Sequence, residues 1–163
     1  MIHSAIQIRT IQPSDNSGLA ALIRDTMAEF GVNRPGTVYF DPRTDDLYQL
    51  FRTPHSIYYV AEQDGQLSGG AGIFPSPGLP EGVCELVKMY LQKETRGKGL
   101  GRLLIETCLE SARTMGYKKI YLETMPELTK AISMYERFGF TFLRGPMGDT
   151  GHFGCEVWMI KEL

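Results

Sequence analysis

Between Glu85 and Arg102 the chain reads ELVKMYLQKETRGKGLGR: an apolar run, three glycines at alternate positions, then a segment with helical spacing. Few arrangements suit it other than strand, tight turn and helix. Glycine adopts positive φ freely and lets the backbone approach a ligand closely. The first turn of a helix offers unpaired N–H groups and a partial positive charge, which together attract an anion. Arg96, Lys98 and Arg102 add positive charge at the same place. The expected ligand of the turn is a pyrophosphate.

Two familiar phosphate loops do not match. A Walker loop needs GxxxxGK followed by Ser or Thr, which is missing here. A GxGxxG loop beginning at Gly97 and Gly99 would need glycine where Arg102 stands. The segment also lies in the second half of the chain, whereas a dinucleotide-binding fold usually opens with it.

The rest of the chain supplies the neighbouring elements. Ala5 to Ile11 reads as a strand, and Pro13-Ser14-Asp15 starts a helix that carries Leu19, Leu22, Ile23, Met27 and Phe30 and stops at Gly31. Asn33 to Pro42 reads as a loop and Asp45 to Phe51 as a short helix. Ser56–Glu62 and Gln66–Phe74 are strands joined through Asp64-Gly65, a strong hairpin signal. After the loop Pro75 to Gly82 come the strand Val83–Leu91 and a helix from about Arg102 to Met115. Leu104, Ile105, Cys108, Leu109 and Ala112 line one face of that helix and Gly116 stops it. Lys119–Thr124 is a strand, Leu128–Phe138 a helix, and Phe140–Arg144 and Cys155–Lys161 are two last strands. Seven strands and four helices in this order imply a mixed sheet flanked by helices, an α/β (α+β) fold in a single domain spanning residues 1–163.

Composition narrows the function. A net charge of −2 argues against nucleic acid, whose phosphates need a basic excess. Cys84, Cys108 and Cys155 are odd in number and widely spaced, as expected of reduced thiols in a cytoplasmic protein with no zinc cluster. Met1 to Ala5 lacks the pattern of a signal peptide, and no apolar run is long enough for a membrane span, so no membrane partner is expected.

The run Arg96-Gly97-Lys98-Gly99-Leu100-Gly101 follows the pattern Gln or Arg, any two residues, Gly, any residue, Gly or Ala. A helix and a strand later stands Ala131-Ile132-Ser133-Met134-Tyr135-Glu136-Arg137-Phe138-Gly139-Phe140, of the form A-x-x-x-Y-x-x-x-G-F. Together the two blocks resemble the GNAT (N-acetyltransferase) superfamily, from about Ala5 to the C-terminus. The resemblance implies a mixed, mostly antiparallel sheet of about seven strands that splays at the cofactor-binding strand. It implies acetyl-CoA as acyl donor, no metal, and a small-molecule or peptide amine as acceptor attacking directly through a tetrahedral intermediate. Small members often dimerise, so a homodimer is compatible with it.

Residue by residue, the resemblance assigns the backbone of Met89, Tyr90 and Leu91 to the pantetheine and thioester carbonyl. Arg96, Gly97, Lys98, Gly99, Leu100, Gly101 and Arg102 take the pyrophosphate, and Tyr135 matches the tyrosine that protonates the departing thiolate. Glu85, eleven positions before Arg96, matches a general-base glutamate of some members. Strand alternation adds to this by placing Glu85 on the face of Val87, Met89 and Leu91, where partial desolvation raises a carboxyl pKa. One departure stands out. Leu128 occupies the position of a cofactor-contacting asparagine, leaving Thr129 or Lys130 to supply that contact.

Plainer readings stand beside these. Arg96, Lys98 and Arg102 could be solvated charges, Glu85 the partner of Lys88 or Arg144, and Tyr135 a core aromatic. His152 reads as structural or solvated. A covalent acetyl-Cys84 is the least favoured route. The rival function is a CoA-binding sensor of the same fold that transfers nothing; a nucleotide-binding enzyme such as a kinase is a more distant alternative. The acceptor site is expected from the 33–41, 75–82 and 145–154 loops, whose acidic residues Asp41, Glu81 and Asp149 suit a cationic amine.

Overall fold

The computed structural model describes residues 5–163; Met1–Ser4, on which part of the signal-peptide reading rests, lie outside the described residues. The elements are β1 (Ile6–Thr10), α1 (Asn16–Glu29), α2 (Leu47–Leu50), β2 (Ile57–Gln63), β3 (Gln66–Phe74), β4 (Val83–Leu91), α3 (Leu100–Thr114), β5 (Lys119–Thr124), α4 (Thr129–Arg137), β6 (Thr141–Leu143) and β7 (Val157–Glu162). They build one seven-stranded sheet in the order β1-β2-β3-β4-β5-β7-β6. Only β4 and β5 pair in parallel; the other neighbours are antiparallel. A parallel pair needs a crossover, and α3 supplies it.

The β2–β3 hairpin turns through Asp64 and Gly65, both at positive φ (54° and 75°). That is the backbone of a two-residue turn whose twist matches the flanking strands.

Both faces of the sheet are covered. Leu104, Ile105, Cys108, Leu109 and Ala112 of α3 pack with Ala71, Ile73, Cys84, Leu86, Ile120 and Leu122. On the other face Leu19, Ile23 and Met27 of α1, with Leu47 and Phe51, pack on Tyr58 and Val60. Each such aliphatic side chain, fully buried, contributes about 1.5–3 kcal/mol. Coverage on both faces is why β3 is buried continuously from Ser68 to Ile73 instead of alternating.

Several boundaries differ from the sequence reading by one or two residues, and two of them lie at the site. α3 begins at Leu100, two residues before Arg102, because Leu100 is itself a core residue, 2% exposed, and Gly99 forms the cap. β7 begins at Val157 instead of Cys155, because Cys155 belongs to the preceding loop, its N–H donating to the His152 carbonyl. Among the described residues no helix is long and apolar enough to cross a membrane.

Candidate active site

The site exists because two adjacent strands part. β4 and β5 are paired only over Val83–Glu85 and Lys119–Tyr121. From Leu86 onward β4 has no ladder with β5, so its β5-facing backbone groups point into open space. On its other edge β4 keeps β3, but the register slips: Val87 faces Gly72 while Tyr90 faces Gly70. The extra residue is absorbed at Lys88, whose φ is 52°. Tyr58 of β2 holds this bulge, its hydroxyl donating to the Lys88 carbonyl at 2.7 Å. The tyrosine can cross β3 because Gly70 and Gly72 lack side chains; a Cβ at either would lie within 2.7 Å of its ring or hydroxyl.

The bulge corrects one expectation. Before it Cys84 and Leu86 face the α3 core; after it Met89 and Leu91 do. Val87 and Tyr90 pack on the opposite side, with α1. Glu85 therefore shares the side of Val87 and Tyr90, not that of Met89 and Leu91, because one inserted residue reverses a period of two.

A cavity of about 1110 Å³ runs along the parted strands. At one end lies the turn into α3. Gly97 and Gly99 have φ of 75° and 84°, and no side chain caps the helix, so its first N–H groups remain available. Gly97, Gly99, Gly101 and Arg102 line the cavity, as do Thr129, Lys130 and Leu128 across from them on α4 and its cap. Gly101 is also a packing point, where a Cβ would meet the methyls of Met89 and Met134 at 3.2 Å. Leu100 has its side chain in the core, leaving its backbone to face the turn. Lys98 is exposed and is not among the lining residues. Arg96 is partly committed elsewhere. It pairs with Glu29 of α1 at 2.6 Å, donates to the Leu91 carbonyl and lies over the Phe30 ring at 5.2 Å. Its charge faces the turn, but its hydrogen bonds brace the end of β4 against α1.

Midway along the cavity, Met89, Tyr90, Leu91 and Tyr135 line the wall. Tyr135 is 7% exposed. Among the described residues its hydroxyl finds only the Met89 sulfur, 3.9 Å away, and burial raises its pKa. It packs edge-on against Phe140, so its ring is a core aromatic and its hydroxyl a cavity group at once.

The far end is polar, and Ser76, Arg43 and Glu123 join the Glu85 and Asp41 that the sequence had named. Glu85 is 4% exposed and accepts a 2.5 Å hydrogen bond from Ser76. Burial lifts its pKa to about 7, with Glu123 adding to the rise; Ser76, Lys88 and Arg43 oppose it. Neither Lys88 nor Arg144 forms an ion pair with it among the described residues. Glu123 accepts from Tyr121 at 2.8 Å and from Thr150. Asp41 is held by Arg43 at 2.8 Å and bonded to His152 Nε2 at 3.0 Å. Burial opposes ionisation of Asp41, yet these hydrogen bonds together keep its pKa low. His152, read as structural or solvated, is mostly buried and bonded to Asp41 while lining the cavity, and burial, followed by the charge of Lys88, lowers its pKa.

The three expected loops do meet here. The Asp149 N–H donates to the Pro77 carbonyl, and the Gly154 N–H to that of Gly36. Thr37, Val38, His152 and Cys155 line the large cavity, and Ser76 and Arg43 an adjoining recess. Glu81 is exposed and lines neither. Lys88 was the one readable cue among the residues missed, a charge inside the run LVKMYL where alternation leaves no solvent face.

Residues 19–140 match the acetyltransferase (GNAT) family. The chain belongs to that family. It is 42% identical over 157 residues to the uncharacterized N-acetyltransferase YjgM of Escherichia coli (strain K12), covering 96% of this chain and 94% of the relative. It is 31% identical over 136 residues to human N-acetyltransferase 8B, covering 79% of this chain and 57% of that protein. The fold is shared with a GNAT-family acetyltransferase from Staphylococcus aureus Mu50 at a TM-score of 0.85 and 19% identity, over 97% and 99% of the two chains. It is also shared with PaiA N-acetyltransferase from Thermoplasma acidophilum, solved in complex with coenzyme A, at 0.76 and 17%, over 98% and 99%. The mostly antiparallel sheet with its single parted parallel pair is thus the architecture of this family.

Proposed function

We propose that the protein transfers the acetyl group of acetyl-CoA to a primary amine by direct attack. The observation that carries this reading is the continuous cavity, which joins an uncapped, glycine-turned helix start to a buried carboxyl through a stretch of unpaired strand edge. The residues fit the donor. The turn from Gly97 to Arg102 would take the pyrophosphate on backbone N–H groups, with Arg102 and Lys130 adding charge and Arg96 bracing the turn. The edge of Met89, Tyr90 and Leu91 would bind the pantetheine as an added strand would. That PaiA, which shares the fold, was solved in complex with coenzyme A supports coenzyme A as the ligand class.

Each chemical step has a residue for it. The amine must lose a proton before its lone pair can form the C–N bond. Glu85, with a pKa of about 7, is matched to accept that proton directly or through water. Negative charge then develops on the carbonyl oxygen, where a β4 N–H at the bulge would stabilise it. When the C–S bond breaks, the thiolate needs a proton, and the Tyr135 hydroxyl, whose present neighbour is itself a sulfur, is set to give one. The acceptor is a small-molecule or peptide amine entering between the three loops. Free Cys84, Cys108 and Cys155 support a cytoplasmic location.

Release of CoA from acetyl-CoA across a panel of amines tests the reading. Amine-dependent release is expected, with kcat in Tyr135→Phe lower by about 100-fold or more and CoA affinity little changed. CoA binding without release from any amine would instead favour the sensor.

A further inference from the structure

Lys88 is 8% exposed, yet among the described residues its ammonium has no hydrogen-bond or ion-pair partner. Its acidic neighbours are already engaged, Asp41 with Arg43 and His152 and Glu85 with Ser76. The bulge is what puts it there. Continued alternation would have set Lys88 on the apolar face of Cys84 and Leu86; instead it lines both the large cavity and the recess beside Glu85 and His152. An ammonium on a largely buried side chain that opens onto a cavity without a direct partner is only partly hydrated, a cost that an incoming anion relieves. Asp41 and Glu85 attract the ammonium from a distance, but neither supplies the missing contact.

Resting on the acetyltransferase reading, we infer that the acceptor is an amino acid, its carboxylate held by Lys88 while its amine faces Glu85. The chemistry is complementary at both ends. A bare cationic amine would find Glu85 but would bring a further positive charge toward Lys88 and Arg43. An α-amino acid carries an ammonium and a carboxylate on one carbon, and Glu85 and Lys88 line the same cavity and the same adjoining recess. Lys88 is then a specificity residue, not a proton carrier.

The test compares matched acceptors with one side chain: an α-amino acid, its α-carboxamide and the decarboxylated amine, over a set of side chains, at saturating acetyl-CoA. The free acid is expected to exceed both analogues in kcat/KM by about 100-fold or more, because a site built for a polar group rejects a substrate lacking it. In Lys88→Met this ratio should collapse toward one, chiefly through KM for the acid, and Lys88→Arg should keep part of it. Equal turnover of acid, amide and amine by the wild type would overturn the inference, as would an unchanged ratio in Lys88→Met. Should Lys88→Met not fold, the wild type alone decides: in the presence of CoA, the N-acetyl amino acid should bind and its amide should not, and equal binding overturns the proposal. Turnover of amines without preference for the acid refutes this inference alone. No transfer to any amine refutes the acetyltransferase reading and this inference with it.

Discussion

Glu85 shows how burial makes a base out of an ordinary side chain. Its carboxyl lies in a recess where it accepts a hydrogen bond from Ser76, and loss of water raises its pKa to about 7. The same shift acts on stability with a definite sign. Between the ordinary carboxyl range and pH 7 the folded protein keeps a proton that the unfolded chain has lost, so stability falls as pH rises through that window. Glu85→Gln removes this dependence. Relative to that variant, the wild type should lose on the order of 3 kcal/mol between about pH 4 and pH 8, read from urea unfolding of both proteins. In the wild type, kcat/KM should rise through an inflection near 7, and Glu85→Gln should lose it. Parallel stability curves and identical pH profiles would remove Glu85 from both roles.

At the scale of elements, the bulge in β4 does most of the positioning. It reverses which side chains face α3, turns Lys88 into the recess and lies at the point where the β5-facing edge is free. Tyr58 is its anchor, so Tyr58→Phe should leave the buried Lys88 carbonyl without its donor. The expected cost is about 1–3 kcal/mol in urea unfolding, together with a raised KM for the acceptor as Lys88 loses its setting. A variant as stable and as active as the wild type would mean the bulge is held by the register alone. Strand β4 was legible from its apolar run to the residue, and so were β3 and β5. The inserted residue was not, because Glu-Leu-Val-Lys-Met-Tyr-Leu carries no glycine or turn residue to mark where alternation slips. Nor was the Asp41–His152 pair, which joins two loops 111 positions apart; such contacts depend on loop packing that local pattern does not encode. The helix turn was legible because its chemistry is local: glycines at 97 and 99 sit at positive φ as their spacing implied. Arg96 was legible as a charge there, but not as a brace on Glu29, which comes from the far side of the sheet.

Over the whole molecule, one sheet covered on both faces opens at a single seam, and the site is that seam. α3 supplies a helix start at one end, α4 the wall with Tyr135, and three loops close the other around Glu85, Asp41, Lys88 and His152. The central claim is that the seam takes the CoA thioester along its length. Thermal unfolding of the purified protein against acetyl-CoA, CoA, ATP and NADH measures this most directly. A ligand at a hundredfold excess over its Kd adds about 2.7 kcal/mol, a rise of several degrees in Tm. The account predicts that rise with acetyl-CoA and CoA and none with ATP or NADH. No shift with CoA, or a shift with ATP or NADH alone, would contradict it.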